Sequence, residues 1–307
     1  MTIGVVGAGN VGAALVMEFA RRGPRVTIEV CCRSTASAKA AILDASSAFP
    51  LSASRLDPVP RLSDDVEVVV VAAGVQHETT LSHTEMLRVN SELALESVEH
   101  LRGRKRSFVL VGSPVDEVAQ RFALERTDLD PTRVVGFGGA LDRCRLISSL
   151  HRRRLDVPCT VIGEHGRRAI PVYDGEHDFD AVADEVRSVL QRIRACGDKA
   201  RNLASGVHLA VLVNALMRQR PTSLCVSTLH EGFDQFLTWP SFVSSGGVVR
   251  HDAIELGPRA ASSLAALISA RGESSHDSRQ GLPCGPEPRR TRAGLEDLEV
   301  SVPYEDR

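Results

Sequence analysis

Apolar positions in the first 145 residues come in two alternating forms. Short runs dense in valine and isoleucine (residues 2–6, 26–30, 66–72 and 108–111) are separated by longer stretches in which apolar residues recur every three or four positions. Runs with little polar alternation predict strands covered on both faces, and the stretches between them predict helices connecting one strand to the next. In the first such helix Val11, Leu15, Val16 and Phe19 share one face, and Gly23-Pro24 ends it. A parallel α/β sheet follows from this alternation.

Beyond residue 145 the pattern changes. Residues 159–162 predict a strand, about 178–219 are largely helical, and short β-like pieces stand at 224–228, 242–243 and 248–249. A last amphipathic helix is expected near 258–270, followed by a stretch rich in Ser, Pro, Gly and Arg with the composition of a disordered tail. The organisation expected is a nucleotide-binding α/β domain over 1–143, an α+β substrate domain over 144–271 and a tail over 272–307.

Composition narrows the function classes. At 307 residues, 43% of them hydrophobic, the chain has enough apolar material for two cores. A net charge of −2 gives no drive toward nucleic acid or acidic membranes. No apolar run approaches the roughly 20 residues needed to span a bilayer. The chain enters its first strand with no basic leader, so a cytoplasmic location is expected. The seven cysteines (31, 32, 144, 159, 196, 225 and 284) contain no C-x-x-C pair, which predicts reduced thiols and no metal site. Only three of the 37 basic residues are lysine, a bias to which we attach no chemistry.

The first strand runs into Gly7-Ala8-Gly9-Asn10-Val11-Gly12 at the start of a helix. In that context G-x-G-x-x-G is the dinucleotide-binding signature of a Rossmann sheet. Gly7 permits the tight turn, Gly9 lets backbone approach a pyrophosphate, and Gly12 allows close helix packing. About 20 residues later an acid normally takes the adenosine ribose hydroxyls. Cys32 stands there instead, followed by Arg33 and Ser34. A missing carboxylate beside a cation and a hydroxyl favours NADP over NAD.

Four further segments resemble the lactate/malate dehydrogenase family in order and spacing: Ala72-Ala73-Gly74, Pro114-Val115-Asp116, Leu141-Asp142-Arg143-Cys144-Arg145, and Gly163-Glu164-His165-Gly166 followed by Pro171-Val172. Residues 213–216 and 226–227 resemble the family's long helix and next strand, so the resemblance spans about residues 2–270. It implies that His165 is the acid/base group, that Asp142 orients it and stabilises its protonated form, and that Arg145 grips the substrate's carboxylate with its planar fork. It also implies that Gly74, Asn90 and Val111 join Asn10 and Val11 in the cofactor cleft, and that the protein is a homodimer or homotetramer.

The chain departs from the family on the substrate side. Between Gly74 and Asn90 the loop has the length of malate-type loops, and the register puts His83 where the family carries a carbonyl-polarising arginine. His77 falls at the arginine that takes a second carboxylate, and Ser113 replaces a substrate-contacting asparagine. Arg201 falls where a residue lies beside the nicotinamide in the family, and it is a candidate replacement cation. The expectation is an NAD(P)-dependent reductase of a 2-oxo acid other than pyruvate or oxaloacetate, or the reverse oxidation. Reduction of an imino acid and a nucleotide-binding protein without turnover are the alternatives.

Overall fold

The computed structural model describes residues 1–22, 25–75, 81–103, 105–196 and 202–278. Met1–Ser269 forms one compact unit. The first half builds the expected parallel sheet: β1 (Thr2–Val6), β2 (Thr27–Cys31), β3 (Arg55–Val59), β4 (Val66–Val71), β5 (Ser107–Leu110) and β6 (Val134–Gly136) lie in the order β3-β2-β1-β4-β5-β6. That is the strand order of a doubly wound dinucleotide-binding sheet, whose topology reverses between β1 and β4 and opens a crevice there. The register is tight, with Ile3 opposite both Ile28 and Val68.

Helices cover both faces. Leu15, Val16 and Phe19 of α1 (Asn10–Arg22) are fully buried together with Ile3, Val5, Val68 and Val70. The opposite face of the sheet, through Val69, Val71, Phe108 and Leu110, packs on α3 (His83–Ser97) and α4 (Val115–Glu125). α2 (Thr35–Ala48) follows β2. A Cβ at Gly206 of α7 (Leu203–Leu216) would come within 2.6 Å of the Ala14 carbonyl group, so the missing side chain is what lets α7 lie against α1.

α5 (Gly139–Arg152) carries the chain out of the parallel part, and it runs unbroken through the boundary drawn at residues 143 and 144. Beyond it lie β7 (Cys159–Gly163), β8 (Ala169–Tyr173), α6 (Phe179–Ala195) and the hairpin of β9 (Thr222–His230) and β10 (Gln235–Ser244), with β11 (Gly247–His251) on β10. A single antiparallel pairing, Gly136 with Ser227, joins this half to the first, and Thr238 with Gly163 joins the hairpin to β7. The "short β-like pieces" are therefore one long hairpin and a third strand. α8 (Pro258–Ser278) passes the expected end at residue 270, so the boundary drawn after Arg271 falls inside a helix, and residues 279–307 lie outside the described ones. β3, β6 and β8 were not expected. β3 contains Pro58, which a sheet admits at its edge, where the missing N–H faces no partner.

Candidate active site

The glycine loop closes as its spacing predicts. Gly7 has φ +93°, and a Cβ there would stand 2.7 Å from the Ala73 nitrogen. A Cβ on Gly12 would collide with the Gly7 carbonyl oxygen, whereas Gly9 has nothing within 4 Å of its Cβ position, the open side a pyrophosphate needs. Asn10 and Val11 form the first turn of α1, which carries no acidic residue to repel an anion. These residues fit a dinucleotide.

At the ribose end, the Sγ of Cys32 accepts the Ala8 N–H at 3.2 Å, so the glycine loop and the end of β2 are joined through sulfur where a carboxylate was expected. Arg33 and Ser34 are exposed beside it, and Ser34, the N-cap of α2, makes no side-chain capping bond. The first turn of α2 also lacks an acid.

Asn90 takes a bracing part below the cleft. It is 1% exposed, its Oδ1 accepts the Val75 N–H at 2.8 Å and its Nδ2 donates to the Ser113 carbonyl at 2.6 Å. It ties the segments after β4 and β5 together, and Gly74 lies against its amide. Val111 continues the ladder by donating to the Val71 carbonyl.

His165 stands just past the end of β7. Its Nδ1 lies 2.7 Å from Oδ2 of Asp142, and the Gly166 N–H donates to the same oxygen at 2.9 Å. Arg145, one turn along α5 from Asp142, donates to its Oδ1 at 2.7 Å. Asp142 has no exposed surface, while the His165 and Arg145 side chains keep 21% and 16%. Three groups placed by sequence register are thus one hydrogen-bonded chain, Arg145–Asp142–His165. Burial pushes the Asp142 carboxyl up, but the His165 and Arg145 charges and the bonds it accepts outweigh this and hold it below the usual carboxylate range. Burial pushes His165 down, and the Asp142 carboxylate and its hydrogen bond more than reverse that, leaving the imidazole above its ordinary value of 6.5.

Three contributors to this geometry went unassigned in the sequence. Asp116 accepts the His165 N–H at 2.8 Å on Oδ2 and the Thr238 hydroxyl at 3.2 Å on Oδ1. Gly138, before α5, leaves room for the imidazole, because a Cβ there would collide with the His165 ring. Asp116 stood in the quoted Pro-Val-Asp segment, yet an acid in a first helical turn reads as a dipole partner and hides a second use.

On the substrate side, His83 is the first residue of α3, fixed by a capping box between Ser82 and Glu85. Its Nε2 lies 2.8 Å from Oε1 of Glu117, the neighbour of Asp116 on α4. His77 and Arg201 lie outside the described residues. Ser113 gives its own carbonyl to Asn90 and directly precedes Pro114. Among the described residues no group of three or more His, Cys, Asp or Glu side chains is arranged to hold a metal, and no helix is long and apolar enough to cross a membrane.

A doubly wound sheet and a glycine loop opening α1 define a dinucleotide-binding α/β protein, and a buried carboxylate lies against an imidazole beyond the sheet. Comparison with known proteins narrows the class: residues 1–136 match the family described as lactate/malate dehydrogenase, NAD binding domain. The chain is 24% identical over 298 residues to a malate dehydrogenase of Neorickettsia sennetsu, covering 84% of this chain and 92% of that one. It is 28% identical over 255 residues to an L-lactate dehydrogenase of Allorhizobium ampelinum, covering 75% and 82%. The minor L-lactate dehydrogenase of Enterococcus mundtii shares the fold with a TM-score of 0.77 at 20% identity, over 91% of this chain and 98% of that one. The malate dehydrogenase of Salinibacter ruber does so with a TM-score of 0.76 at 19%, over the same shares. The chain is thus similar to lactate and malate dehydrogenases, and it shares their mixed α/β fold.

Proposed function

We propose that this chain is an oxidoreductase that interconverts a 2-oxo acid and its 2-hydroxy acid, the substrate being neither pyruvate nor oxaloacetate. The observation that carries the reading is the hydrogen-bonded Arg145–Asp142–His165 chain. A bound nicotinamide supplies or accepts the hydride. With Nδ1 turned to Asp142, Nε2 of His165 is the nitrogen left to give a proton to the substrate oxygen in reduction and to take it back in oxidation. Arg145 spends one nitrogen on Asp142, and the rest of its fork grips the substrate carboxylate. Because His83 is turned to Glu117 rather than standing as a fixed cation, a second carboxylate has no counterpart among the described residues of this side.

NADP is the preferred cofactor in this reading. Its support is the thiol of Cys32 in place of an acid, exposed Arg33, and the N-terminus of α2 with an uncapped Ser34. A homodimer is also part of it. α7 is apolar all round, and Leu203, Val207 and Val211 repeat along one exposed stripe, at 73%, 41% and 45% exposure, as expected of a face that a second copy covers.

A second reading, reduction of a C=N bond, is favoured by the same His83–Glu117 pair, since a protonated imine is itself cationic and is better met by a carboxylate than by an arginine. The deciding experiment measures hydride transfer from NADPH and NADH to a panel of 2-oxo and imino acids, with His165→Ala as the control. Turnover of 2-oxo acids that falls about 10²–10⁴-fold in His165→Ala supports the reading. Cofactor binding with no turnover on any substrate would leave a nucleotide-binding protein instead.

A further inference from the structure

His165 has two buried carboxylates built against it, and the acid/base dyad uses only one. The other, Asp116, is 3% exposed in the first turn of α4. Its Oδ2 takes the N–H of His165 and its Oδ1 the hydroxyl of Thr238, so the carboxylate is gripped from two elements. Thr238 pairs across the sheet with Gly163, two residues before His165. α4, β7 and β10 therefore meet at this one side chain. A carboxylate so placed, with its negative charge close to the ring, favours the imidazolium of His165 that forms in catalysis.

We propose that Asp116 is a positioning residue for His165: it fixes the histidine's main chain and, as a second buried anion, holds the ring in its protonated form. This rests on the proposed function in so far as His165 is the acid/base group. Among the described residues the charged groups acting on His165 are Asp142 and Arg145 from α5 and Asp116 from α4, while Glu164 in its own loop pairs with Arg168. Asp116 acts in the same direction as Asp142 and against Arg145.

The test is an NMR titration of the His165 ring in the full chain without cofactor, so that it needs no turnover. Asp116→Asn keeps an acceptor for both donors and removes the charge. It should lower the His165 midpoint by about half a unit, and move the alkaline limb of 2-oxo acid reduction the same way. A folded Asp116→Asn protein with an unchanged midpoint overturns the proposal, because a merely structural role would cost stability and leave the titration alone. Thr238→Val keeps the charge and removes its anchor. It should speed hydrogen exchange at the His165 amide by about tenfold, and unchanged exchange overturns the positioning half even if Asp116→Asn does not fold. If the wild-type protein reduces no 2-oxo acid at all, the proposed function fails while the titration still decides the part of Asp116.

Discussion

The Nδ1 of His165 lies 2.7 Å from Oδ2 of Asp142, a carboxylate with no exposed surface. The pair shifts the two groups in opposite directions, Asp142 below 3.8 and His165 above 6.5. Reduction needs the protonated ring, so its kcat/KM should fall as pH rises past the raised His165 value. Oxidation needs the neutral ring and should rise through the same midpoint. Stability follows linkage: the raised histidine contributes fully below 6.5 and loses that contribution as pH climbs through its folded value. The lowered aspartate contributes above 3.8 and loses it as pH falls through its folded value. Melting temperature should therefore be highest between those limits, and Asp142→Asn should flatten the profile on both sides.

Gly138 sits against the same ring. A Cβ at this position would overlap the base of the imidazole, with backbone rather than a flexible tip as its own anchor. Gly138→Ala should push His165 off Asp142 and lower kcat by about 10²-fold, with cofactor affinity nearly unchanged. Equal kcat in the two proteins would mean that the ring has a second productive place.

Glu185 of α6 clamps α5 by accepting from Ser149 at 2.8 Å, Arg153 at 2.5 Å and Arg152. Those bonds hold its carboxyl down at about 2. With 19% of the side chain exposed, solvent screens part of the gain. Glu185→Gln should cost about 1–2 kcal/mol in urea unfolding at pH 7. The difference should persist above the ordinary carboxylate range and shrink as pH falls toward 2, where the native carboxyl also protonates.

The parts of this fold that were legible in the sequence are those fixed by local pattern. β1, β4 and β5 are valine-rich runs buried on both faces, and the glycines of 7–12 sit where tight turns and close approach demand them. β6, three residues long, and β8, with Pro171 at its middle, carry no such pattern and are strands because neighbours pair with them. In the site, Asp142, Arg145 and His165 were placed by motif register. The partners Asp116, Thr238 and Gly138 come from three separate segments that only the tertiary fold brings together. His83 shows the reverse limit: register gave its position, but its partner Glu117, 34 residues on, depends on how α3 lies on α4.

The cofactor end gives a direct test. Cys32 holds the Ala8 amide through sulfur, and exposed Arg33 and the N-terminus of α2 follow it, the arrangement from which NADP is proposed. NADPH should bind more tightly than NADH, and Cys32→Asp combined with Arg33→Ala should reverse the order. Fluorescence titration of both reduced cofactors against both proteins measures this. A wild-type preference for NADH removes the argument from Arg33.

The last test concerns His83, whose Nε2 is 2.8 Å from the Glu117 carboxylate and whose side chain is 61% exposed. Because α3 begins at His83 under the Ser82–Glu85 capping box, its backbone is fixed and a longer side chain there starts from the same place. His83→Arg puts a permanent charge and a planar fork where a titratable ring now stands. If the substrate is a 2-oxo acid, the variant should keep or raise kcat/KM on simple 2-oxo acids. If the substrate is a protonated imine, the fixed cation should repel it and lower kcat/KM by about tenfold, which is about 1.4 kcal/mol of lost transition-state stabilisation. His83→Arg, Glu117→Gln separates attraction from repulsion, because the new guanidinium then has no carboxylate beside it and either effect should grow. Rates unchanged on both substrate classes in both variants would show that the start of α3 does not reach the substrate, and the search for the group that meets the carbonyl would move to other residues of the cleft.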